Sequence, residues 1–245
     1  MSDNFENRED ARKWRRNFEL RFKTVVRPES SKTLNFNNTM SATDMLAIIN
    51  NANKYIPAGE ILNFQFADGN YTLDRSLTFD GFFGGGEMNI LGNAADESLS
   101  TAKNVYLDFT NSSDGIQINN TKLQVNTKCL KTRVVTGAEN YIAIQYFNTP
   151  YGEISCNYAL GTATETGSGI KVLYGSVDIK NNYVSNINVG IYGENARIYS
   201  NNNDDTGTMP NYGLVTRYAG TIGTTGTQPS GATANESAPD GGVIR

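Results

Sequence analysis

The sequence predicts an all-β protein built as a solenoid, and three observations lead to this fold class. Short runs of alternating apolar and polar residues fill most of the chain, and each run ends at Gly, Asn or Asp. Similar runs return about every 20 residues, as Ile170, Ile191 and Leu214 illustrate. The 245 residues also include 31 Asn and 24 Gly, which suit the tight corners of stacked repeats.

The first 32 residues differ from the rest of the chain in charge. They carry a net charge of +3, whereas residues 33–245 carry −7. The spacing of Trp14, Phe18 and Phe22 by four residues favours helical structure at the start of the chain. We place a helix at about residues 5–17 and an extended segment after it. Residues 1–32 are therefore predicted to form a short charged N-terminal attachment segment.

The aromatic residues of this segment have two interpretations. They either pack against the protein's own body or dock on a partner, and the sequence does not decide between the two. We follow the docking interpretation because arginines flank the rings and could pair with acids on a partner. The predicted docking residues are Trp14, Phe18, Phe22, Arg12, Arg15 and Arg16.

A helix is predicted to begin after Ser41 and to cap the solenoid. Ser41 is a preferred N-cap residue, and Met45 and Ile49 lie on one apolar face of the helix. We place this helix at residues 42–56, within a linker and capping region at residues 33–57. From residue 58 to residue 245 the strand pattern continues without a second helical stretch.

Two sets of strands repeat within residues 58–245. One set begins at Gly115, Tyr141, Gly169, Val189 and Tyr212. The other set includes the strands around Ile154, Ile179 and Ile198 and ends its strands on asparagine. A single repeat could not bury its inner face, so stacked neighbours must supply the core. A β-sandwich would not need this repeat length or so much asparagine.

Several classes of chemistry are excluded by composition. Without histidine, the usual catalytic triads and most zinc sites are excluded, and we predict no cofactor and no metal. The negative body argues against nucleic acid, and the lack of a long apolar run argues against membrane insertion. Cys129 and Cys156 are predicted to be buried free thiols that could stack on successive repeats. The N-terminus lacks a secretory signal, so we expect synthesis in a cytoplasm.

Three segments resemble a known family. Ser41–Pro57 resembles a capping helix, Phe66–Leu73 carries an A-D-G-x-Y type turn, and Gly81–Asn93 contains a glycine-rich segment that leads to an I-x-G-N strand end. Together with the end of the chain, they resemble the right-handed parallel β-helix (pectate-lyase-like) domains of bacteriophage tail proteins. The resemblance covers residues 33–245 and implies a right-handed parallel β-helix that is commonly trimeric.

The resemblance implies a non-enzymatic structural component of a bacteriophage tail, such as a fibre, spike or baseplate appendage. It implies a place in the virion at or near the host-contacting end, and self-association as a homotrimer. The attachment segment is then expected to bind other tail or baseplate proteins. The alternative is a depolymerase acting on host surface polysaccharide, and a cellular adhesin is disfavoured by the missing signal.

Candidate site residues are tyrosines and acids. Amphipathic rings suit sugar stacking or subunit contacts, and the tyrosines predicted to contact a glycan are Tyr174, Tyr183, Tyr192 and Tyr199. A glycosidase would need two converging carboxylates, for which the candidates are Glu153, Asp178, Glu194, Asp204 and Asp205. Alternation points Asp178 outward, and we predict no catalytic residue. The glycine run Gly84–Gly86 is predicted to be a turn rather than a phosphate site.

Overall fold

The computed structural model describes residues 31–98, 100–111, 114–135, 141–162, 166–205 and 207–245. Residues Ser31–Arg245 form a compact unit. The described residues are mainly β-strands, together with helix α1 at Ala42–Asn51 and one 3-10 turn at Ala94–Asp96. Within the same residues, no helix is long and apolar enough to cross a membrane.

The described strands form three parallel sheets, which we name sheet 1, sheet 2 and sheet 3. Sheet 1 contains β1 (Lys32–Phe36), β2 (Tyr55–Ile56), β3 (Ile61–Phe66), β6 (Phe83–Leu91), β9 (Lys122–Lys128), β12 (Tyr151–Ser155), β15 (Ser176–Lys180), β18 (Arg197–Asn201), β21 (Thr221–Thr225) and β23 (Val243–Ile244). Sheet 2 contains β4 (Gly69–Leu73), β7 (Val105–Phe109), β10 (Lys131–Val134), β13 (Tyr158–Leu160), β16 (Tyr183–Ser185) and β19 (Asp204–Asp205). Sheet 3 contains β5 (Leu77–Asp80), β8 (Ile116–Asn119), β11 (Ile142–Phe147), β14 (Ser168–Leu173), β17 (Val189–Glu194), β20 (Tyr212–Arg217) and β22 (Ala234–Ser237).

Strand pairing follows one rule through most of the chain. From β3 to β21, each strand pairs in parallel with the third strand along, so consecutive strands lie in different sheets. We call three consecutive strands, one from each sheet, a repeat. This arrangement is consistent with an all-β parallel solenoid, and it confirms the prediction of an all-β chain of stacked parallel strands.

The core is made of columns of apolar side chains that continue from repeat to repeat. In sheet 3, Ile116, Ile144, Ile170, Ile191 and Leu214 lie at paired positions in successive strands, and all of them are fully buried. The predicted equivalence of these strands is therefore confirmed. Each side chain packs on the one above and the one below, which buries an inner face that a single repeat would leave exposed.

Helix α1 begins as predicted but ends earlier than predicted. The Ser41 hydroxyl accepts a hydrogen bond from the Asp44 backbone N–H, and the Asp44 carboxylate accepts from the Ser41 N–H, which forms a capping box. Met45 and Ile49 are fully buried. The helix stops at Asn51 rather than at residue 56, because Ala52 is extended and the chain then enters β2, which pairs with β6.

Strand β1 lies where the sequence indicated only a linker. It pairs in parallel with β3, and its last residue, Phe36, is buried against Phe64 and Phe66. A residue that precedes α1 in the sequence therefore already contributes an aromatic ring to the core at this end of sheet 1. The run of residues 32–36 alternates only weakly between apolar and polar side chains, which is why pattern alone did not reveal this strand.

Two local predictions are corrected by the pairing. Ile198 lies opposite Val177, and Ile179 lies opposite Ser200, so the predicted equivalence of Ile179 and Ile198 is shifted by two residues. The glycine run at residues 84–86 is part of β6 rather than a turn. A Cβ on Gly84 would lie 2.0 Å from the carbonyl oxygen of Ile56, so close approach of β2 requires glycine there.

Asparagines at the corners have the structural role that the composition indicated. Asn181 and Asn202 follow β15 and β18 with φ of 55° and 50°, in the left-handed region that asparagine tolerates. The next residues, Asn182 and Asn203, point inward and are fully buried together with Asn157 of the preceding repeat. Their amides bond to one another and to backbone carbonyls along the stack, which satisfies polar groups inside the core.

Candidate functional site

A cavity of about 370 Å³ opens on the outer face of sheet 3. It is built on β14, β17 and β20, whose outward residues Lys171, Tyr192 and Val215 lie at paired positions. Its lining includes Lys171, Tyr192, Tyr212, Val215, Arg217 and Ser237. Tyrosine rings with a few charged side chains are the usual lining of a small-ligand site.

Tyr192 is held in place at this cavity by its neighbours. Its hydroxyl donates a hydrogen bond to Glu194 Oε2 at 2.9 Å, and Lys171 Nζ lies 5.0 Å from the ring centroid. Partial burial, followed by the hydrogen bond and the charge of Glu194, raises the pKa of Tyr192 to about 12. Tyr192 is therefore neutral at physiological pH, with its ring facing the cavity as a stacking surface.

Charges of both signs surround the cavity, with Lys171 and Arg217 in its lining and Glu194 and Asp240 beside them. Arg217 is 4.0 Å from Asp240 in a half-exposed pair that water screens strongly. Lys171 forms no salt bridge within the described residues. Lys171 and Arg217 therefore provide hydrogen-bond donors on the same side of sheet 3 as the two tyrosine rings.

A second surface lies on the outer face of sheet 1. Two open grooves, of about 770 Å³ and 440 Å³, share Ser176, Arg197 and Thr221. Tyr174 lines the larger groove and Tyr199 lines the smaller one, and both side chains are about half exposed. Both grooves lie between neighbouring outward side chains, and the larger one is more open than the cavity on sheet 3.

A third surface runs along sheet 2 and was not predicted from the sequence. Tyr106, Lys131, Tyr158 and Tyr183 lie at paired positions in β7, β10, β13 and β16, and all are half-buried. We call these four residues the sheet 2 stripe. Lys131 Nζ lies 4.6 Å from the Tyr106 ring centroid and 5.3 Å from that of Tyr158. The rings of Tyr158 and Tyr183 are 6.4 Å apart and meet edge to face.

The four tyrosines predicted to contact a glycan therefore lie on different faces. Tyr183 belongs to sheet 2, Tyr192 to sheet 3 and Tyr199 to sheet 1, whereas Tyr174 lies at the corner after β14 with φ of 53°. Only Tyr174 and Tyr199 share a surface. A signal for the sheet 2 stripe was present in the sequence, because Tyr158 and Tyr183 each precede an apolar residue, and alternation then points each tyrosine outward.

The candidate acids are also distributed over the three sheets. Glu194 lies on sheet 3, and Asp204 and Asp205 form β19 of sheet 2. Glu153 and Asp178 lie opposite each other on β12 and β15 of sheet 1. Asp178 is exposed, as the alternation predicted. Among the candidate acids, Glu153 and Asp178 are therefore a pair that faces each other across adjacent strands.

Glu153 is held as an anion by three partners. Lys128 and Lys180 lie 2.9 Å and 2.8 Å from its two oxygens, and the Ser155 hydroxyl donates at 2.7 Å. Partial burial alone would raise the pKa of Glu153, but the hydrogen bonds from Lys180, Lys128 and Ser155 outweigh it and lower the pKa to about 2. A carboxylate bound in this way is a poor general acid.

Further site predictions concern metals and the N-terminal segment. Within the described part of the chain, no group of three or more Cys, Asp or Glu residues is placed to hold a metal ion. The predicted docking residues of the attachment segment lie outside the described residues.

Comparison with known proteins adds no family to these observations. No protein-family model matches the chain, and no curated protein matches it.

Proposed function

We propose that this chain is a non-enzymatic structural component of a bacteriophage tail, located in the virion at or near the host-contacting end. In this proposal residues 58–245 form a right-handed parallel β-helix that α1 caps. The observation that carries the proposal is the continuous stacking of parallel strands in three sheets with shared buried columns. Such a stack is stiff and offers long side faces to partners. The tail-protein resemblance of Phe66–Leu73 and Gly81–Asn93 supports the same assignment.

The sheet 2 stripe is the surface that we assign to self-association. Its residues follow the stacking direction, so a second copy with a parallel axis could contact several of them at once. Tyrosines are enriched in such interfaces because each ring buries a large area and keeps a polar end. We expect a homotrimer, as in the tail proteins that the sequence resembles.

The cavity on sheet 3 is the surface that we assign to a host glycan. A sugar ring could stack on Tyr192, with hydroxyl groups bonded to Lys171 and Arg217. The stripe is elongated, whereas the cavity has the volume of a site for one or two sugar residues. The two surfaces therefore suit different partners.

The charged N-terminal segment is the part that we expect to attach the chain to other tail or baseplate proteins. Three large rings among arginines would bury enough apolar area to anchor a subunit, at roughly 2–3 kcal/mol per ring before ordering costs. This assignment rests on the sequence of residues 1–32 alone.

A second candidate function is cleavage of host surface polysaccharide. The observation that favours it is the pairing of Glu153 with Asp178 on adjacent strands. The lowered pKa of Glu153 opposes it, because Glu153 is then not held protonated as the acid that leaving-group departure needs.

Incubation with host polysaccharide separates the two candidates. We expect the purified protein to bind the polysaccharide without producing new reducing ends or unsaturated sugars. Turnover that is lost in both Glu153→Gln and Asp178→Asn would establish the depolymerase and refute the structural proposal.

Two variants test the assigned surfaces and serve as controls for each other. Tyr158→Glu in the sheet 2 stripe should shift sedimentation from trimer to monomer while glycan binding per chain is retained. Tyr192→Ala in the cavity should weaken glycan binding by about tenfold or more and leave the trimer intact. A wild-type protein that stays monomeric at micromolar concentration would argue against the trimer, and equal effects of both variants on both assays would show that the surfaces are wrongly assigned.

A further inference from the structure

Cys129 and Cys156 occupy the same corner in consecutive repeats. They directly follow Lys128 and Ser155, which lie opposite each other at the ends of β9 and β12. The Cys129 N–H donates to the Ser155 carbonyl at 3.2 Å, so the pairing continues into the corner. Neighbouring strands lie about 4.8 Å apart, which falls within the Cα separation of roughly 4.4–6.8 Å found in disulfides.

The backbone at this corner makes cysteine an unusual choice. Cys129 and Cys156 have φ of 63° and 59°, and the equivalent residues of the next two repeats, Asn181 and Asn202, are also left-handed. Asparagine tolerates that conformation because its side chain bonds locally, whereas most other residues with a Cβ are strained there. Two consecutive cysteines at left-handed positions therefore replace the residue type that the corner prefers.

The two cysteines are buried beside each other at this corner. Both cysteines are free, with 2% and 7% of their surface exposed. Each thiol shifts the pKa of the other, which places the two side chains close together. The chain just after β6 passes close to the backbone of Cys129, because a Cβ on Gly92 would lie 1.9 Å from the Cys129 carbonyl oxygen. Lys103, held by the carbonyls of Asp96 and Ser98 at 2.8 Å and 3.0 Å, places its charge near both sulfurs.

This environment makes the two sulfurs unequal. The hydrogen bond from Cys129 lowers the pKa of Cys156, and the charge of Lys103 lowers it further against the opposing effect of burial. The same hydrogen bond and burial raise the pKa of Cys129. Cys156 is thus the nucleophile of the pair, and Cys129 is the resolving thiol.

We propose that Cys129 and Cys156 form a covalent modification site, at which hydrogen peroxide joins them in a disulfide that links two consecutive repeats. The Cys156 thiolate attacks one peroxide oxygen, the O–O bond breaks, and a sulfenic acid and hydroxide form. The Cys129 sulfur then attacks the sulfenic sulfur, the S–S bond forms as the S–O bond breaks, and water leaves. Two thiols and one peroxide give one disulfide and two waters, and the sulfurs lose the two electrons that the peroxide gains.

The disulfide would hold two repeats together in their native register. It closes a loop of the chain from β9 to β12, which restricts the unfolded state. Because the two cysteines directly follow paired residues of adjacent strands, the link requires only a local adjustment at the corner. A protein made in a reducing cytoplasm would acquire the link after release into an oxidising medium.

The test uses the full chain, purified with reductant, desalted and treated with hydrogen peroxide. We expect the two free thiols to disappear and the intact mass to fall by about 2 Da, with one peptide pair joining Cys129 to Cys156. The melting temperature should rise by roughly 5–10 °C and return after dithiothreitol. Cys129→Ser should instead trap a sulfenic acid on Cys156, seen as a dimedone adduct, and Cys156→Ser should react more slowly.

Three results would overturn the proposal, and each is read on the wild-type chain. One is two thiols that stay free under peroxide. Another is sulfinic acid on either residue without a link. The third is disulfides formed only between separate chains, as shown by a non-reducing gel. None of these readouts depends on whether the serine variants fold.

Discussion

The side-chain oxygen of Asn182 accepts two hydrogen bonds from Asn157, at 2.9 Å from its backbone nitrogen and 3.2 Å from its side-chain nitrogen. Asn182 in turn donates to Asn203 Oδ1 at 2.9 Å and to the carbonyls of Ile154 and Lys180 at 2.9 Å and 3.0 Å. All three asparagines are fully buried. Each one thus satisfies polar groups of its own repeat and of the repeats beside it.

Substitution of Asn182 with alanine should destabilise the protein by about 3–5 kcal/mol. It removes a donor and an acceptor from the middle of the ladder and leaves buried backbone groups without partners. Chemical denaturation of the variant measures this loss. Asn70→Ala is the matched control, since Asn70 is exposed on β4, and its effect should stay within about 0.5 kcal/mol. Equal stabilities of the two variants would contradict a structural role for the ladder.

Substitution of Ile191 with aspartate should cost about 4 kcal/mol or more. Ile191 is fully buried between Ile170 and Leu214, so the new carboxylate would have no partner and no water. Thermal melting should show severe loss of the folded state. Ile61→Asp provides the control, because Ile61 is 37% exposed on β3, where water can solvate the new carboxylate. Melting of Ile191→Asp at the wild-type temperature would show that the sheet 3 column is wrongly placed.

Glu153 should make stability depend on acid pH. Its pKa in the folded protein is about 2, below the ordinary value of 4.5, so the unfolded chain binds the proton more tightly. The stability that its ion pairs contribute is therefore complete above pH 4.5 and is lost as pH falls from 4.5 to about 2.

The measurement is the free energy of unfolding of the wild type and Glu153→Gln at neutral pH and at about pH 3. The wild type should be the more stable at neutral pH, and the difference should shrink at low pH. Asp178→Asn, on the neighbouring strand and without a salt bridge among the described residues, should keep the loss of stability that protonation of Glu153 causes. If the difference in free energy of unfolding between the wild type and Glu153→Gln did not change with pH, Glu153 would not be the stabilising ionised group that we propose.

Removal of the N-terminal segment should leave the described unit folded. The cut belongs before Ser31, because the Ser31 hydroxyl accepts a hydrogen bond from the Ile61 N–H at 3.2 Å and β1 begins at Lys32. A chain of residues 31–245 should melt within about 2 °C of the full chain, since the sheets and core keep all their described contacts. The same truncation should abolish incorporation into phage particles.

Two outcomes of the truncation would refute this division of roles. Unfolding would show that Trp14, Phe18 and Phe22 belong to the core. Normal incorporation into particles would place attachment elsewhere in the chain.

Much of the fold followed from local pattern. Alternation and a period near 20 residues identified the sheet 3 column from Ile170 to Leu214, and asparagine content indicated the corners at Asn181 and Asn202. These features are encoded within one repeat and its nearest neighbour. A residue that faces inward, or that takes a left-handed backbone, is recognised from its own type and the residues beside it.

Other features depended on how many residues each corner takes. A difference of two residues in a corner placed Ile179 opposite Ser200 instead of Ile198, and corner lengths also distributed the four predicted tyrosines over three faces. The same holds for the partners of Glu153, because Lys128 and Lys180 come from the strands on either side. The sequence by itself determined most of the strands and the apolar side chains that enter the core, since burial follows from alternation, although β1 and residues 84–86 of β6 escaped it. Only the tertiary structure decided which outward side chains meet, because that depends on the register between strands more than 20 residues apart.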